Sequence, residues 1–377
     1  VFSVSSVNIV YGGAGSGSVD TSTDPTFKDA LEKSGLSVNP TLWDFYAKKS
    51  EAGYQRSAPN WRGGKFSINE VPWADVESAA QSSFDEYSDA AVVVISRSGG
   101  EGSDLTAVNF AETAGVAGNS GNYLELSTEE ADMLQAVNDQ FDNVVVVLNS
   151  NNAMELGWLS QYPNVKAAIW VGGVGQTGLY AIADALVGDI VPSGRLVDTY
   201  AADANSSPAA QNAGVNFWIE NNFSNESDQY IVYEEGIYVG YRYYETRYED
   251  VVLGRGNAGS YDYANEVIYP FGYGLSYTTF DYSDFSLTRN DDTFTAKVKV
   301  TNIGDTYSGK EVVQLYAQSP YTDYDRENNV EKASVELVGF AKTDVLKPGE
   351  SQVVEIQVDK ENLKSYDYTN AKTYILD

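Results

Sequence analysis

The hydrophobic period of this sequence changes once along its length, and the change separates two kinds of fold. In the first ~200 residues, Ala90–Ser96 (AAVVVIS) and Val144–Asn149 (VVVVLN) are unbroken apolar runs, the pattern of a strand buried on both faces. Such runs alternate with amphipathic stretches, so this part predicts an α/β sandwich domain with a mostly parallel sheet. From about Tyr277 apolar residues alternate with polar ones instead, in Phe280–Leu287, Phe294–Thr301, Val312–Ala317, Val335–Phe340 and Val353–Val358. Turns at Asn302–Asp305 and Lys347–Gly349 separate them, which predicts an all-β sandwich of about 100 residues.

Local signals refine the first part. Val7–Tyr11 reads as the first strand, followed by the Gly-rich stretch Gly12–Gly17. Asp24 is placed to cap a helix with Pro25 in its first turn, and Gly35 to stop it. Ser127-Thr128-Glu129-Glu130 is a capping box opening a helix through Leu134 and Val137. Ala167–Val171 predicts a strand leading into Gly172–Gly178 and a helix ending at Gly188, and Arg195–Tyr200 a further short strand. The division expected is an α/β domain over 1–200, a Tyr- and Asn-rich connector packing on the domains over 201–275, and a β-sandwich over 276–377. The sandwich is expected to lack its last strand, which leaves a sheet edge unpaired beyond Tyr374.

Composition narrows the chemistry. There is no His and no Cys, so imidazole- or thiolate-based nucleophile systems and zinc, haem or iron–sulfur sites cannot be assembled. No metal and no cofactor is expected, and acid–base work falls to carboxylates, Lys or Tyr. A net charge of −30 repels a phosphate backbone, so no nucleic-acid partner is expected. No run approaches the ~18 apolar residues of a membrane helix, so no membrane span is expected either.

Ser96-Arg97-Ser98-Gly99-Gly100-Glu101-Gly102-Ser103-Asp104 follows directly on a buried strand. In open α/β sheets ligands bind beyond the carboxyl ends of the strands, so Glu101 is the leading candidate functional residue; the alternative is a solvated Gly-rich turn. Gly173-Val174-Gly175-Gln176-Thr177-Gly178 spells a dinucleotide fingerprint with Asp198 twenty residues on, but too little sheet pattern follows it, and a tight packing turn is expected. Gly12–Gly17 lacks the Gly-Lys-Ser/Thr ending of a nucleotide loop. The 28 Tyr and 6 Trp allow sugar stacking, yet packing is the expectation for the cluster Tyr230, Tyr233, Tyr238, Tyr241, Tyr243 and Tyr244. Three Asn-x-Ser sequons at Asn205, Asn222 and Asn225 are taken as incidental.

Several strings together resemble glycoside hydrolase family three, the β-glucosidases and their relatives. They are Ser98–Asp104, Val145–Ser150, Val191–Leu196, Tyr233–Tyr244 (YEEGIYVGYRYY) and Tyr269–Tyr277 (YPFGYGLSY), in matching order and spacing. The resemblance implies that family's α/β sandwich domain followed by its fibronectin type III-like domain. The Gly-rich start, Gly12 to Val19, further resembles members in which these two domains precede the barrel.

That resemblance implies a retaining, exo-acting β-glycosidase that hydrolyses terminal non-reducing β-D-glucosyl residues through two carboxylates. The general acid/base would be Glu101; Arg97, Ser98 and Asp104 would order its loop or contact sugar. The family's Asp nucleophile lies on a (β/α)8 barrel, and no barrel of ~250 residues fits beside the two domains already assigned. No residue here is therefore given the nucleophile role. The implied partners are a β-glucoside or oligosaccharide and a (β/α)8 barrel domain or chain, and the chain alone is expected to be inactive. The competing expectation is a non-catalytic carbohydrate-binding or scaffold module docking on a barrel chain. A secreted or cell-surface bacterial location is expected, with the cytoplasm as the alternative.

Overall fold

A computed structural model of the protein describes residues 1–13, 15–57, 66–99, 123–212, 218–219, 229–230 and 233–376. The chain forms two compact units, Val1–Ile190 and Val191–Asp377. In the first unit the apolar runs become β1 (Ala91–Arg97), β2 (Val144–Ser150) and β3 (Val165–Trp170), an all-parallel sheet ordered β1-β2-β3. The register sets Val93 opposite Val146 and Val146 opposite Ala168. Nearly every residue of β1 and β2 is buried, as a strand covered on both faces requires.

Helices cover the sheet. They are α1 (Phe27–Lys33), α2 (Pro40–Glu51), α3 (Trp73–Ala80), α4 (Thr128–Gln140) and α5 (Gly178–Val187). On one face Phe27, Ala30 and Leu31 of α1 and Leu179, Ile182 and Ala183 of α5 close over Val94 and Val147. Each large side chain buried there contributes about 1.5–3 kcal/mol. The ring of Phe2 meets Phe84 and Phe141 edge to face, at 5.4 and 5.5 Å.

Two local expectations are corrected. Helix α1 is capped by Thr26, not Asp24: the Thr26 side chain accepts from Asp29 N while the Asp29 carboxylate accepts from Thr26 N. Pro25 therefore precedes the cap, and Gly35, at φ +89°, closes the helix through a Leu36 N to Leu31 O bond of 3.0 Å. Val7–Tyr11 is not a strand. Val10 is satisfied instead by the Asn149 side chain, and its carbonyl and that of Tyr11 accept from Val174 N and Gly175 N. Phe2 makes the parallel bridge to Val93.

Glu70 is a fully buried carboxyl that ties down the start of the chain. It accepts from Ser3 Oγ (2.6 Å), Val4 N (3.1 Å) and Val71 N (2.9 Å). Burial nevertheless pushes it up to about 7, against the pull of those hydrogen bonds. The folded state therefore holds a proton that the unfolded chain releases at lower pH, so stability falls as pH rises from about 4.5 to about 7. Urea unfolding at pH 5 and pH 8 should show Glu70→Gln losing about 2–3 kcal/mol of that decline; an unchanged decline would contradict it.

The second unit begins with β4 (Tyr200–Ala201), α6 (Pro208–Gln211) and the short pair β5 (Trp218–Ile219) and β6 (Gln229–Tyr230). Next come α7 (Tyr241–Leu253), α8 (Tyr263–Glu266) and β7 (Val267–Tyr269), which pairs with β4. The strand expected at Arg195–Tyr200 is thus reduced to Tyr200–Ala201, because Leu196 bonds Tyr273 and Gly272 through its backbone instead. Of the tyrosines expected to pack, Tyr241, Tyr243 and Tyr244 do so, whereas Tyr233 is exposed. Tyr241 stacks on Phe271 at 4.5 Å, and its hydroxyl accepts from Leu337 N.

The alternating segments form β8 (Phe280–Arg289), β9 (Thr293–Asn302), β10 (Val312–Ala317), β11 (Glu336–Lys342) and β12 (Ser351–Asp359). They pair antiparallel as β12-β9-β8 and β10-β11 around Val300, Val313, Val354, Ile356 and Val358. Helix α9 (Asp323–Asn328) follows β10, and the hairpin β13 (Ser365–Asp367) and β14 (Thr373–Ile375) ends the chain. The architecture is the one expected: a parallel α/β layer followed by an antiparallel β-sandwich.

Candidate active site

The carboxyl edge of the parallel sheet is built by side chains that tie one strand end to the next. Asn149, at the end of β2, uses its whole amide. Oδ1 accepts from Val10 N (2.7 Å) and Ser96 Oγ (3.1 Å), while Nδ2 donates to Val10 O (2.9 Å) and Gly172 O (2.7 Å). One buried residue thereby ties together Val10, the end of β1 and the turn after β3. The glycines meet where backbones are closest: a Cβ on Gly173 would lie 2.8 Å from Asn151 Oδ1 and 3.3 Å from Gly12 Cα. Together with Gly175, which sits at φ +60° and donates to Tyr11 O, this makes Gly173–Gly178 a packing turn.

Arg97 ends β1 and is fully buried. All five of its guanidinium N–H groups are used. Nε donates to Tyr123 O (2.5 Å), Nη1 to Ser96 O (2.8 Å) and Glu130 Oε1 (2.9 Å), and Nη2 to Glu130 Oε2 (2.7 Å) and Glu125 O. The Glu130 carboxylate is also fully buried and accepts from Ser127 N (2.9 Å), so the capping box of α4 and the ion pair share one carboxylate. Ser98 comes next. Its N–H donates to the Tyr123 hydroxyl (2.8 Å), and its Oγ accepts from Arg56 Nε (2.5 Å). Arg56 Nη1 also donates to Asn8 O (2.7 Å), and burial lowers its guanidinium to about 10, which leaves it cationic at neutral pH. Gly99 lies against Asn152, where a Cβ would sit 2.8 Å from Nδ2, and that buried Nδ2 has no hydrogen-bond partner among the described residues.

The sequence-derived candidates divide accordingly. Arg97 and Ser98 stand together at the carboxyl end of β1, both bonded to Tyr123. Glu101 and Asp104 lie outside the described residues. Sequence reasoning missed Arg56, Tyr123 and the second use of Glu130. One signal was available for Glu130: an arginine closing an otherwise apolar buried strand demands a buried anion, and the nearest acid set in a helix start was the capping box. Among the described residues no three carboxylates gather as a metal site, and no helix is long and apolar enough to cross a membrane.

A parallel α/β layer with ordered polar groups at its carboxyl edge is thus followed along the chain by an antiparallel β-sandwich. The sequence matches the glycosyl hydrolase family 3 C-terminal domain over residues 5–241 and a fibronectin type III-like domain over 311–376. It is 32% identical over 359 residues to a β-glucosidase of Ruminococcus albus, covering 94% of this chain and 32% of that protein. β-Glucosidase A of Butyrivibrio fibrisolvens is 33% identical over 390 residues, with 95% and 42% covered. Among solved structures, a β-glucosidase from Paenibacillus barengoltzii superposes with TM-score 0.75 at 30% identity, over 98% of this chain and 36% of that one. β-Glucosidase 3B of Thermotoga neapolitana, in complex with glucose, gives 0.72 at 29%, over 97% and 45%. The chain belongs to glycosyl hydrolase family 3, and it spans less than half the length of these relatives.

Proposed function

We propose that this chain is the acid/base half of a retaining, exo-acting β-glycosidase acting on terminal β-D-glucosyl residues, with Glu101 as the proton donor and acceptor. A (β/α)8 barrel, on the same polypeptide or a separate chain, supplies the Asp nucleophile. The observation that carries the reading is the anchored carboxyl end of β1: two residues before Glu101 the chain is at Gly99, and Arg97 and Ser98 are held from several sides. A carboxyl that must act at a defined point needs such an origin. Family membership and the names of the relatives support the substrate class.

The chemistry is a double displacement. The Glu101 carboxyl gives its proton to the glycosidic oxygen while the barrel carboxylate bonds to the anomeric carbon, and the aglycone leaves as an alcohol. Glu101, now a carboxylate, takes a proton from water as that water attacks the same carbon, which releases the sugar and restores both groups. Retention needs the two carboxyls about 5–5.5 Å apart, so neither half suffices. The Nδ2 of Asn152, beside Gly99 and without a partner among the described residues, could donate to a substrate hydroxyl in this reading.

The test is an aryl β-glucoside assay on this chain alone and after adding the barrel. We expect no turnover from the chain alone and turnover from the two together. Activity from the isolated chain would overturn the division of the site.

A further inference from the structure

We propose that the β-sandwich unit carries a saccharide site of its own, a cavity of about 240 Å³ that binds one uronic-acid unit through Arg289 and Lys360. The proposal goes beyond the hydrolysis argued above and does not depend on it. The cavity lies wholly within the second unit, where separate elements converge. The β8–β9 hairpin brings Arg289 and Phe294, the single turn Lys360–Leu363 after β12 brings Lys360, and the closing hairpin brings Ser365 and Ile375. The turn is tied to the β8–β9 hairpin by a bond from Lys360 N to Asp292 O of 2.9 Å.

Charge is what marks the cavity. The chain has 54 acidic against 24 basic side chains, so a cation has ample choice of partner. Lys332, in the same wall, takes one: its ammonium is buried and pairs with the buried Asp325 carboxylate at 2.8 Å. Arg289 and Lys360 make no ion pair among the described residues. The acid beside Lys360 in sequence, Glu361, bridges Lys364 at 2.5 Å instead. Two cations without a counter-charge on one concave surface raise its potential and draw an anion.

The rest of the wall selects among anions. Phe294 and Ile375 give apolar surface, with the Arg289 guanidinium 5.8 Å from the Phe294 ring centre. The hydroxyls of Ser319 and Ser365 make no hydrogen bond among the described residues. Inorganic phosphate would leave the apolar wall unused, and a fatty carboxylate would leave the serines unused. A sugar acid uses all three features: its carboxylate meets the cations, its C–H face the apolar wall, and its hydroxyls the serines. Drug-sized ligands take pockets of about 300–1,000 Å³, so a cavity of about 240 Å³ sets the limit at one sugar ring.

The experiment is calorimetric titration of the full chain with methyl β-D-glucuronide, D-glucuronate, methyl β-D-glucoside and inorganic phosphate. We expect the uronates to bind at least about tenfold more tightly than the neutral glucoside and the phosphate, because only they satisfy cations and serines together. Raising NaCl to about 0.5 M should weaken them about threefold or more. The double variant Arg289→Met with Lys360→Met should lose about tenfold or more in affinity for the uronates, and Ser319→Ala about threefold. Arg289 is exposed and Lys360 half-buried, so the double variant is expected to keep its fold, and Ser319→Ala reports independently of it. A methyl glycoside that binds at least as tightly as the free acid assigns the unit to a glycan, and tighter binding of the free acid assigns it to a released monosaccharide. Equal binding of the glucoside, phosphate binding as tight as the uronates, or uronate affinity unchanged in the double variant would each overturn the proposal, as would no uronate binding at all.

Discussion

Glu101→Ala in the barrel-containing enzyme is expected to lower kcat/KM on alkyl β-glucosides by about 10²–10⁴-fold. The size follows from the leaving group. An alkoxide is too basic to depart without a proton, so the whole contribution of the acid is lost. A dinitrophenolate departs unaided, so formation of the glycosyl-enzyme should survive, while its hydrolysis slows because nothing deprotonates the water. Pre-steady-state kinetics on the dinitrophenyl glucoside should therefore show a burst followed by a slow phase. A uniform loss on both substrates would argue that Glu101 shapes the site without transferring a proton.

The second large effect is on stability. Arg97→Met leaves the Glu130 carboxylate buried without its cation and removes the donor to Tyr123 O and Glu125 O. Breaking one side of a buried pair costs about 3–5 kcal/mol, which in a unit of this size lowers Tm by about 10 °C. Replacing the pair together, Arg97→Met with Glu130→Leu, should recover part of the loss because no charge is then stranded. Urea unfolding of the two variants checks this. If the double variant were no more stable than the single, the cost would lie in the carbonyl contacts and the capping box, with the stranded charge contributing little.

Much of this was legible before the structure. The β1 and β2 runs had only one use, a doubly covered parallel strand, and the alternation after Tyr277 only another, so the layer type of both units could be read directly. The Ser127 capping box was local and correctly placed. What failed were features decided at long range. Val7–Tyr11 has strand composition but is satisfied by an asparagine 139 positions away from Val10, and no local pattern reports that. Helix α7 is built from tyrosines and charges, whose apolar face is not visible to a count of aliphatic residues. The cap of α1 moved two residues because Thr26 and Asp29 satisfy each other while Asp24 would not. Near the candidate site, the position of Arg97 and Ser98 at the strand end was legible from the apolar run before them; the contacts of Arg56 and Tyr123 were not, because they depend on which carbonyls and hydroxyls the fold brings to the sheet's edge.

The claim at the centre of this account is that Glu101 serves as acid in one step and base in the next. Azide tests it most directly, because it attacks the glycosyl-enzyme without needing a proton removed and fits the space a deleted carboxyl leaves. With the Glu101→Ala enzyme and 2,4-dinitrophenyl β-glucoside, the account predicts that azide accelerates turnover and that the product is the β-configured glycosyl azide, the result of two inversions. An absence of acceleration, or an α-configured azide, would contradict it.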